Sequence, residues 1–303
     1  MVRRWVAGCL LVASIAVGSF LDTPRRNPRL FLGGYHILAA DFHIHSFPFS
    51  WGVLPPWDTV IEARRQGLDV VAMTPHNHVW VATVGKWFSR LSGEPVVLVG
   101  EEIHSIGYHV IAVGITNTIN WRQPASSAID EVHKQGGIAI AAHPTAAYSS
   151  YDAVAMQKLD GAEVVHPLAL TSETFASQLR QFFNRRHLTA IGDTDYHLGP
   201  LSLDIGAMGL CRTYVFVRER TEKDILDALR EGRTVVYDRD HVYGDPALIR
   251  LASEDGRLPA LAATKPNPSS FGVMGRITGL FGLLAALWPF PPAGKSKPRD
   301  FYT

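Results

Sequence analysis

Short apolar runs alternate with longer amphipathic segments from about residue 35 onward, and this alternation limits the folds open to the chain. The apolar runs have the length of buried strands, and the longer segments repeat their apolar residues at helical spacing. The expected strands are Ile37–Ala40, Val70–Met73, Val96–Val99, Ile138–Ala142, Ala162–Val165, Thr189–Ile191, Thr213–Val217 and Thr234–Tyr237. The expected helices are Trp57–Gln66, Ala125–Gln135, Thr171–Arg186 and Thr221–Glu231.

Strands that alternate with helices indicate a parallel sheet, and seven or eight such units predict a closed α/β barrel. Tyr108–Val113 interrupts the alternation and is predicted to form a β-hairpin arm.

Histidines and carboxylates follow six of these runs, at the points where the strands should end. They are Asp41, His43 and His45; His76; Glu101 and Glu102; His143; His166; and Asp193, Asp195 and His197. Because the carboxyl ends of parallel strands meet at one face of a barrel, these side chains should converge. His43 and His45 are two residues apart, so both can point to one side of an extended chain and bind one cation. The pattern predicts a multinuclear hydrolytic metal site, in which bridging carboxylates hold cations about 3.5–4 Å apart.

Composition excludes some other classes of protein. With 303 residues and 47% hydrophobic content the chain can bury a sizeable core, and its net charge of +1 gives no basic field for nucleic acid. Its two cysteines, Cys9 and Cys211, are far apart, and one lies in an apolar leader, so a disulfide framework is not expected. We therefore expect one large domain with extensions and no nucleic-acid partner.

The N-terminal stretch is apolar. Residues Trp5 to Leu21 carry no charge and follow Arg3 and Arg4, which indicates a signal peptide or a membrane anchor, at the short end of the roughly 17–25 residues that a spanning helix needs. No clear small-residue cleavage site precedes Asp22, so we expect an uncleaved anchor. Basic residues lie on both sides of the apolar stretch in nearly equal number, so the positive-inside rule hardly favours either orientation. Because an N-terminal leader usually exports the chain that follows it, we expect the barrel on the exported, extracytoplasmic (periplasmic) side of the membrane.

The predicted domains are residues 1–34, an anchor and linker; residues 35–250, the barrel; and residues 251–303, a linker with an apolar tail. Leu258–Ser270 is rich in Ala, Pro and Ser and is expected to be a linker. Ile277–Gly294 holds no charge. A second membrane segment, an interfacial helix and a tail folded on the barrel are all compatible with this composition.

Five motifs, in this order, resemble those of PHP-domain proteins (polymerase and histidinol phosphatase). They are Asp41-Phe42-His43-Ile44-His45, Thr74-Pro75-His76-Asn77-His78, Gly100-Glu101-Glu102, Ala142-His143-Pro144 and Asp195-Tyr196-His197. The resemblance covers roughly residues 36–245. It implies a distorted (β/α)7 TIM-like barrel that binds two or three divalent metal ions, such as zinc, manganese or iron, and that in most known members hydrolyses phosphoesters.

The resemblance also implies which residues bind each ion. His43, His45 and Asp195 match the ligands of a first metal, and Glu102 matches the carboxylate that bridges it to a second. The second metal would also bind His109, in the predicted hairpin, and His143, in the A-H-P motif. A third metal would bind His76 and His197.

Two departures from the family pattern fall near the third ion. Trp51, in Phe49-Ser50-Trp51-Gly52, stands where many members carry a ligand, and Pro75 replaces the aspartate of the T-D-H-N motif. We therefore expect the first two sites to be intact and the third to be weakened or absent. His76 and His197 would then be free to bind substrate phosphate or to transfer a proton.

Several neighbouring residues have a supporting role or none. Asp41 is expected to accept a hydrogen bond from a ligating imidazole, and Asp193 either does the same or starts a turn. Glu101 is the alternative to Glu102 as the bridging carboxylate. Glu163 and His166 end a strand beside the site and either contact substrate or cap the chain, whereas His78 and His104 are expected to be bystanders.

We expect a metal-dependent hydrolase that acts on a small phosphorylated substrate. The predicted mechanism uses a metal-activated hydroxide, with His76 or His197 protonating the leaving oxygen. Two alternatives remain open. One keeps the metals and cleaves a carboxylic ester, carbamate or amide, and the other is a membrane-tethered metal-binding module without catalysis.

Overall fold

The computed structural model describes residues 28–264 except 49, 198–206 and 240, together with residues 5, 6, 8, 9, 11–13, 275, 279 and 282. A search of these described residues finds no helix with the length and apolar character needed to cross a membrane. Most of the predicted anchor and of the predicted apolar tail lies outside the described residues. The sheet and its helices belong to a compact unit that spans residues 23–270.

All eight expected strands are present in one sheet, with three more beside them. The strands are β1 (Leu30–Leu32), β2 (Tyr35–Ile44), β3 (Val70–Met73), β4 (Val96–His104), β5 (His109–Val113), β6 (Ile138–Ala141), β7 (Gly161–Val165), β8 (Thr189–Gly192), β9 (Thr213–Val217), β10 (Thr234–Asp238) and β11 (His241–Gly244). The helices are α1 (Pro56–Arg65), α2 (Trp80–Ser92), α3 (Ala125–Lys134), α4 (Ala153–Lys158), α5 (Glu173–Phe183), α6 (Glu222–Arg230), α7 (Pro246–Asp255) and α8 (Arg257–Ala262). A short 3-10 turn covers Pro167–Leu170.

The sheet curls into a nearly closed barrel. Its order is β11-β10-β9-β2-β3-β4-β5-β6-β7-β8, and β1 pairs with β2. Side-chain hydrogen bonds link β8 to the strands at the other end of the sheet: the hydroxyl of Thr213 accepts from Gly192 N–H and donates to its carbonyl, and the hydroxyl of Thr234 donates to Ala190 O. The mixed α/β, TIM-like barrel that the alternation predicts is thus confirmed.

Four strands of the sheet, β1, β5, β9 and β11, run against the direction that a fully parallel barrel requires. β2, β3 and β4 are mutually parallel, as are β6, β7 and β8, but β9 is antiparallel to β2. β5 pairs antiparallel with both β4 and β6. The predicted hairpin is present, because β5 turns back antiparallel to β4 after residues 105–108, but it does not project from the sheet as an arm, since β6 pairs with its other edge. Val110, Ile111, Ala112 and Val113 are all fully buried, as a strand covered on both faces must be.

The direction of β5 matters for the site. Because β5 runs antiparallel to β4, its first residue lies at the face of the barrel where β4 ends, and His109 pairs directly with His104. A histidine at the start of a strand thereby joins side chains that come from strand ends. This face of the barrel therefore carries side chains from the ends of parallel strands and from the start of an antiparallel one.

The C-terminal boundary of the barrel also differs from the prediction. α7 and α8 pack on the outer face of β1, β2, β9 and β10, where Leu248, Ala252 and Leu258 are buried. The expected linker at Leu258–Ser270 is thus helical as far as Ala262, because apolar residues of this stretch cover the sheet. Residues 265–270 lie outside the described part of the chain.

Candidate metal centre

The two histidines of the first motif lie at the end of β2, with His43 inside the strand and His45 directly after it. The strand continues to Ile44, so His43 and, just past the end, His45 alternate with buried apolar residues and face the barrel mouth. Both side chains are fully buried, and their Nε2 atoms are 3.1 Å apart. This is the arrangement that the spacing of two residues predicts.

Glu102 lies at the centre of the cluster. Its Oε2 atom is 3.5 Å from His43 Nε2, 3.4 Å from His45 Nε2 and 3.0 Å from His76 Nε2. Its Oε1 atom is 2.8 Å from His109 Nδ1 and 3.3 Å from His143 Nε2. One carboxylate therefore contacts two groups of histidines, which is the position of a bridging ligand.

The glycine before the acidic pair lets β4 approach β5. A Cβ atom at Gly100 would lie 2.4 Å from the carbonyl oxygen of Ala112 on β5, a distance that packing does not allow. Glu101 is buried but takes no part in the cluster: its Oε1 accepts a hydrogen bond of 2.6 Å from Ile119 N–H. Of the two candidates for the bridging carboxylate, the structure brings Glu102 to the histidines.

Asp195 completes the first group. Its Oδ1 atom lies 3.3 Å from His43 Nε2 and 3.0 Å from His45 Nε2. His43, His45, Glu102 and Asp195 thus have ligand atoms within 4.8 Å of one another, and so do Glu102, His109 and His143. The residues predicted for the first two metals form these two groups.

The residues predicted for the third ion also lie together. His45, His76 and His197 form one further group, and His76, Glu102 and His104 form another. The Trp51 ring lies 5.6 Å from the His76 ring, edge to face. His104, expected to be a bystander, stacks at 4.0 Å from His109 and lies two residues after Glu102 on β4, so strand alternation alone could have identified it.

The carboxylate that orients His43 is Glu163, and not Asp41. His43 Nδ1 is 2.7 Å from Glu163 Oε1, and the other oxygen of Glu163 accepts from the backbone N–H of His143. Asp41 accepts instead from the backbone N–H groups of Thr194 and Gly209 and from the Thr194 hydroxyl, so its expected bond to an imidazole is wrong.

Asp193 has a similar structural role. Its Oδ1 accepts a hydrogen bond of 2.7 Å from the backbone N–H of Phe42 on β2. Burial raises the pKa of Asp193 well above its usual range, with the neighbouring charge of Asp41 adding to the rise, while burial raises the pKa of Asp41 to about 6. The two aspartates fasten β2 to the segment after β8 and thereby fix the distance from His43 and His45 to Asp195.

The electrostatics of the cluster suit cations. Burial alone would raise the pKa of Glu102 and of Asp195, but the histidines around them hold both well below their usual range. Burial lowers the pKa of His45 to about 3, so this ring is neutral and able to bind a metal. Burial opposes a charge on His43 and His143 as well, but Asp195 and Glu163 raise the pKa of His43, and Glu102 and Glu163 raise that of His143, so a cation that binds these two rings displaces protons.

Several of the candidate metal-ligand atoms have no satisfied hydrogen bond. His43 Nδ1 donates to Glu163, so Nε2 is the atom of this ring that faces His45 and two carboxylate oxygens. Among the described residues, buried Glu102 Oε1, Asp195 Oδ1 and His109 Nδ1 make no hydrogen bond of acceptable geometry. Buried acceptors that converge without donors are costly, and a divalent cation would satisfy them.

Glu163→Gln tests how the support of His43 affects metal binding. The amide would place N–H groups against either the His43 ring or the His143 backbone N–H, so one of the two hydrogen bonds is lost. We expect a roughly 10–100-fold loss of metal affinity, the usual effect of removing such a partner. Titration of the metal-stripped variant with Zn²⁺ or Mn²⁺ measures it, and wild-type affinity in the variant would refute the role assigned to Glu163.

A cavity of about 410 Å³ opens above the cluster. It is lined by Trp51, His76, Glu102, His104, His109, His143, Tyr148, His166, Leu168, Phe175, Asp195 and His197. His166, which sequence reasoning left undecided, lies 3.8 Å from Asp195 Oδ2. Among the described residues that line the cavity there is no lysine or arginine.

Comparison with known proteins agrees with this geometry. The structure resembles that of a two-domain protein from Bacteroides vulgatus, described as containing a predicted PHP-like metal-dependent phosphoesterase, with a TM-score of 0.63 and 26% identity over 77% of this chain and 74% of that one. An uncharacterized protein of Methanocaldococcus jannaschii is 29% identical over 139 residues, 42% of this chain and 81% of the relative. No family model matches the sequence.

The structural neighbour and the cluster both indicate the kind of protein to which this chain is similar. The nearly closed barrel has a PHP-like neighbour, and its mouth gathers the histidines and carboxylates that the five motifs supply. The resemblance of this chain to PHP-like metal-dependent hydrolases, which the motifs indicate, is confirmed.

Proposed function

We propose that the chain is a metal-dependent phosphoesterase with at least two divalent cations. The observation that carries this proposal is the position of Glu102, whose two oxygens each contact a different group of histidines. A carboxylate between two such groups is typical of binuclear hydrolases. The description of the Bacteroides vulgatus protein as a predicted phosphoesterase supports the choice of phosphate as the electrophile.

Each group of side chains would hold one ion. His43, His45 and Asp195 with Glu102 would hold the first, and His109 and His143 with Glu102 the second. Zinc, manganese and iron all accept this mixture of imidazole and carboxylate. When bound, such cations lower the pKa of coordinated water toward neutrality and neutralise charge on the phosphoryl oxygens.

His197 and His76 are proposed to act on the leaving group. His197 Nδ1 lies 2.7 Å from the carbonyl oxygen of Asp195 and donates to it, so Nε2 remains for the substrate. His76 lines the same cavity with its Nε2 near Glu102. Either ring could hold a proton for the departing oxygen, or the two could share a third ion with His45.

A second candidate is hydrolysis of a carboxylic ester, carbamate or amide. The observation that favours it is the absence of lysine and arginine from the described lining of the cavity, because phosphate sites often use such cations. The same metal ligands would serve this reaction. The electrophile is therefore a question for experiment.

Parallel assays with p-nitrophenyl phosphate and p-nitrophenyl acetate distinguish the two. The metal-stripped protein is reloaded with Zn²⁺, Mn²⁺ or Fe²⁺, and release of p-nitrophenolate is followed for each substrate. We expect phosphate ester hydrolysis that appears with metal and disappears with chelator. Metal-dependent turnover of the acetate alone would favour the second candidate, and turnover of neither substrate in any metal form would contradict both.

A further inference from the structure

One wall of the cavity is formed by Trp51, whose position is not explained by packing in the core. Trp51 is 80% exposed, and its backbone φ of +54° lies in the left-handed region, which is costly for a bulky residue. Its ring stands edge-on to His76 at 5.6 Å. A large apolar side chain held in an unfavourable conformation above a candidate active site needs an explanation other than burial.

The loop that carries Trp51 is firmly tied. Phe47 N–H donates to Leu54 O at 2.8 Å, and Val53 N–H donates to His197 O at 2.9 Å. The adjacent Gly52 packs so tightly that a Cβ atom there would lie 2.5 Å from the Ser46 nitrogen. The backbone beside Trp51 is therefore held against Ser46, Leu54 and His197, the last of which belongs to the candidate metal centre.

The other wall consists of Tyr148, Leu168 and Phe175. Tyr148 is 40% exposed, with its ring 4.4 Å from that of His109, and Leu168 is 49% exposed. Phe175 lies 5.2 Å from His166. These residues follow β6 and β7 in the chain. Trp51 contacts His76, which follows β3, and β3 and β7 are four positions apart in the order of the sheet. The aromatic groups thus face each other across the mouth.

Charge in the described lining is confined to the floor of the cavity. Glu102 and Asp195 are the lining carboxylates, and no lysine or arginine is present among the described lining residues. A substrate would therefore meet polar ligands at one end of the cavity and apolar surfaces along its sides.

We propose that Trp51, Tyr148, Leu168 and Phe175 form a subsite for a flat apolar group of the substrate, so that the preferred substrates are phosphate esters of aromatic alcohols. This inference rests on the proposed phosphoesterase function and specifies its substrate class. The group would enter between Trp51 and the opposite wall while the phosphate reaches the histidines below. A cavity of about 410 Å³ that has these four large side chains on its walls and histidines and carboxylates below them can hold both ends of such a ligand.

The test compares binding of two phosphonates that cannot be hydrolysed. The affinities of phenylphosphonate and methylphosphonate for the metal-loaded full chain are measured by titration calorimetry, with tryptophan fluorescence as a second readout. We expect phenylphosphonate to bind at least about tenfold more tightly to the wild type. Trp51→Ala should reduce this ratio to below about threefold and abolish the fluorescence change, while Trp51→Phe should keep most of the preference.

Trp87→Ala is the matched control. Trp87 is also an exposed tryptophan, but it lies on α2 and does not line the cavity, so its removal should leave the ratio unchanged. Equal binding of the two phosphonates by the wild type, or an undiminished ratio in Trp51→Ala, would overturn the subsite and leave the phosphoesterase proposal standing. Failure of both phosphonates to bind would overturn both proposals.

Discussion

Glu102→Gln is expected to reduce the bound metal to less than one ion per chain and to lower hydrolysis at least about a thousandfold. Glu102 Oε1 lies 2.8 Å from His109 Nδ1, and Oε2 lies 3.4 Å from His45 Nε2, so its charge serves both histidine groups. An amide of the same shape keeps the packing but supplies no negative charge and places N–H donors where acceptors are needed. Elemental analysis after desalting and a steady-state assay measure the two effects.

Glu101→Gln provides a matched control on the same strand. Glu101 is equally buried, and burial raises its pKa to about 8, so it is protonated at neutral pH and an amide resembles it closely. We expect this variant to keep the metal content and activity of the wild type. Loss of metal in Glu101→Gln together with retention in Glu102→Gln would show that the bridging carboxylate has been misassigned.

The second large effect is expected when both histidines of the first motif are replaced. His43→Ala with His45→Ala removes two of the four ligand side chains of the first group, so at most the ion held by Glu102, His109 and His143 should remain. Because hydrolysis at a binuclear site needs both cations, activity should again fall at least about a thousandfold. Metal content, activity and the circular dichroism spectrum are measured on the same preparation.

The design of this variant must protect the fold. His43→Ala leaves Glu163 buried without its imidazole partner, and an uncompensated buried charge destabilises a protein by about 3–5 kcal/mol. Adding Glu163→Gln removes that charge. His78→Ala is the control, since His78 is a histidine that follows the adjacent strand β3 yet does not line the cavity, and it should keep both metal and activity. Full turnover by a folded triple variant would contradict the mechanism.

Sequence patterns predicted the strands and the contents of the site well, for a physical reason. Buried strands need continuous apolar runs, so Val70–Met73 and Thr213–Val217 have in the structure the bounds that the sequence gives them. The side chains that follow such runs emerge at one face of the barrel, and His45, Glu102, His143 and Asp195 meet there.

Strand direction and long-range partners could not be predicted in this way. Nothing in the local pattern of residues 213–217 tells that this strand runs against β2, and the predicted hairpin at Tyr108–Val113 did not tell that β6 pairs with its other edge. The bond between His43 and Glu163 joins residues 120 positions apart, whereas Asp41 was nearer in the sequence and was wrongly preferred. Proximity along the chain is a poor guide to which carboxylate meets an imidazole.

Four of the described helices, α2, α4, α7 and α8, were not predicted, and the longest of them is α2. α2 carries Trp80, Trp87 and Leu91, which are exposed, so the contrast between buried and solvated faces that marks an amphipathic helix is blurred in the sequence. Its buried residues, Val81, Ala82, Gly85 and Ser89, lie at helical spacing, but glycine and serine give no apolar signal in the sequence.

The measurement that tests the central claim most directly is the metal content of the purified wild-type chain. After stripping, reloading with Zn²⁺ or Mn²⁺ and exhaustive desalting, elemental analysis should find about two ions per chain, as a bridged binuclear centre requires. The absence of retained metal, with calorimetry showing no binding at millimolar concentrations, would contradict the account of the cluster around Glu102 and the hydrolytic function built on it.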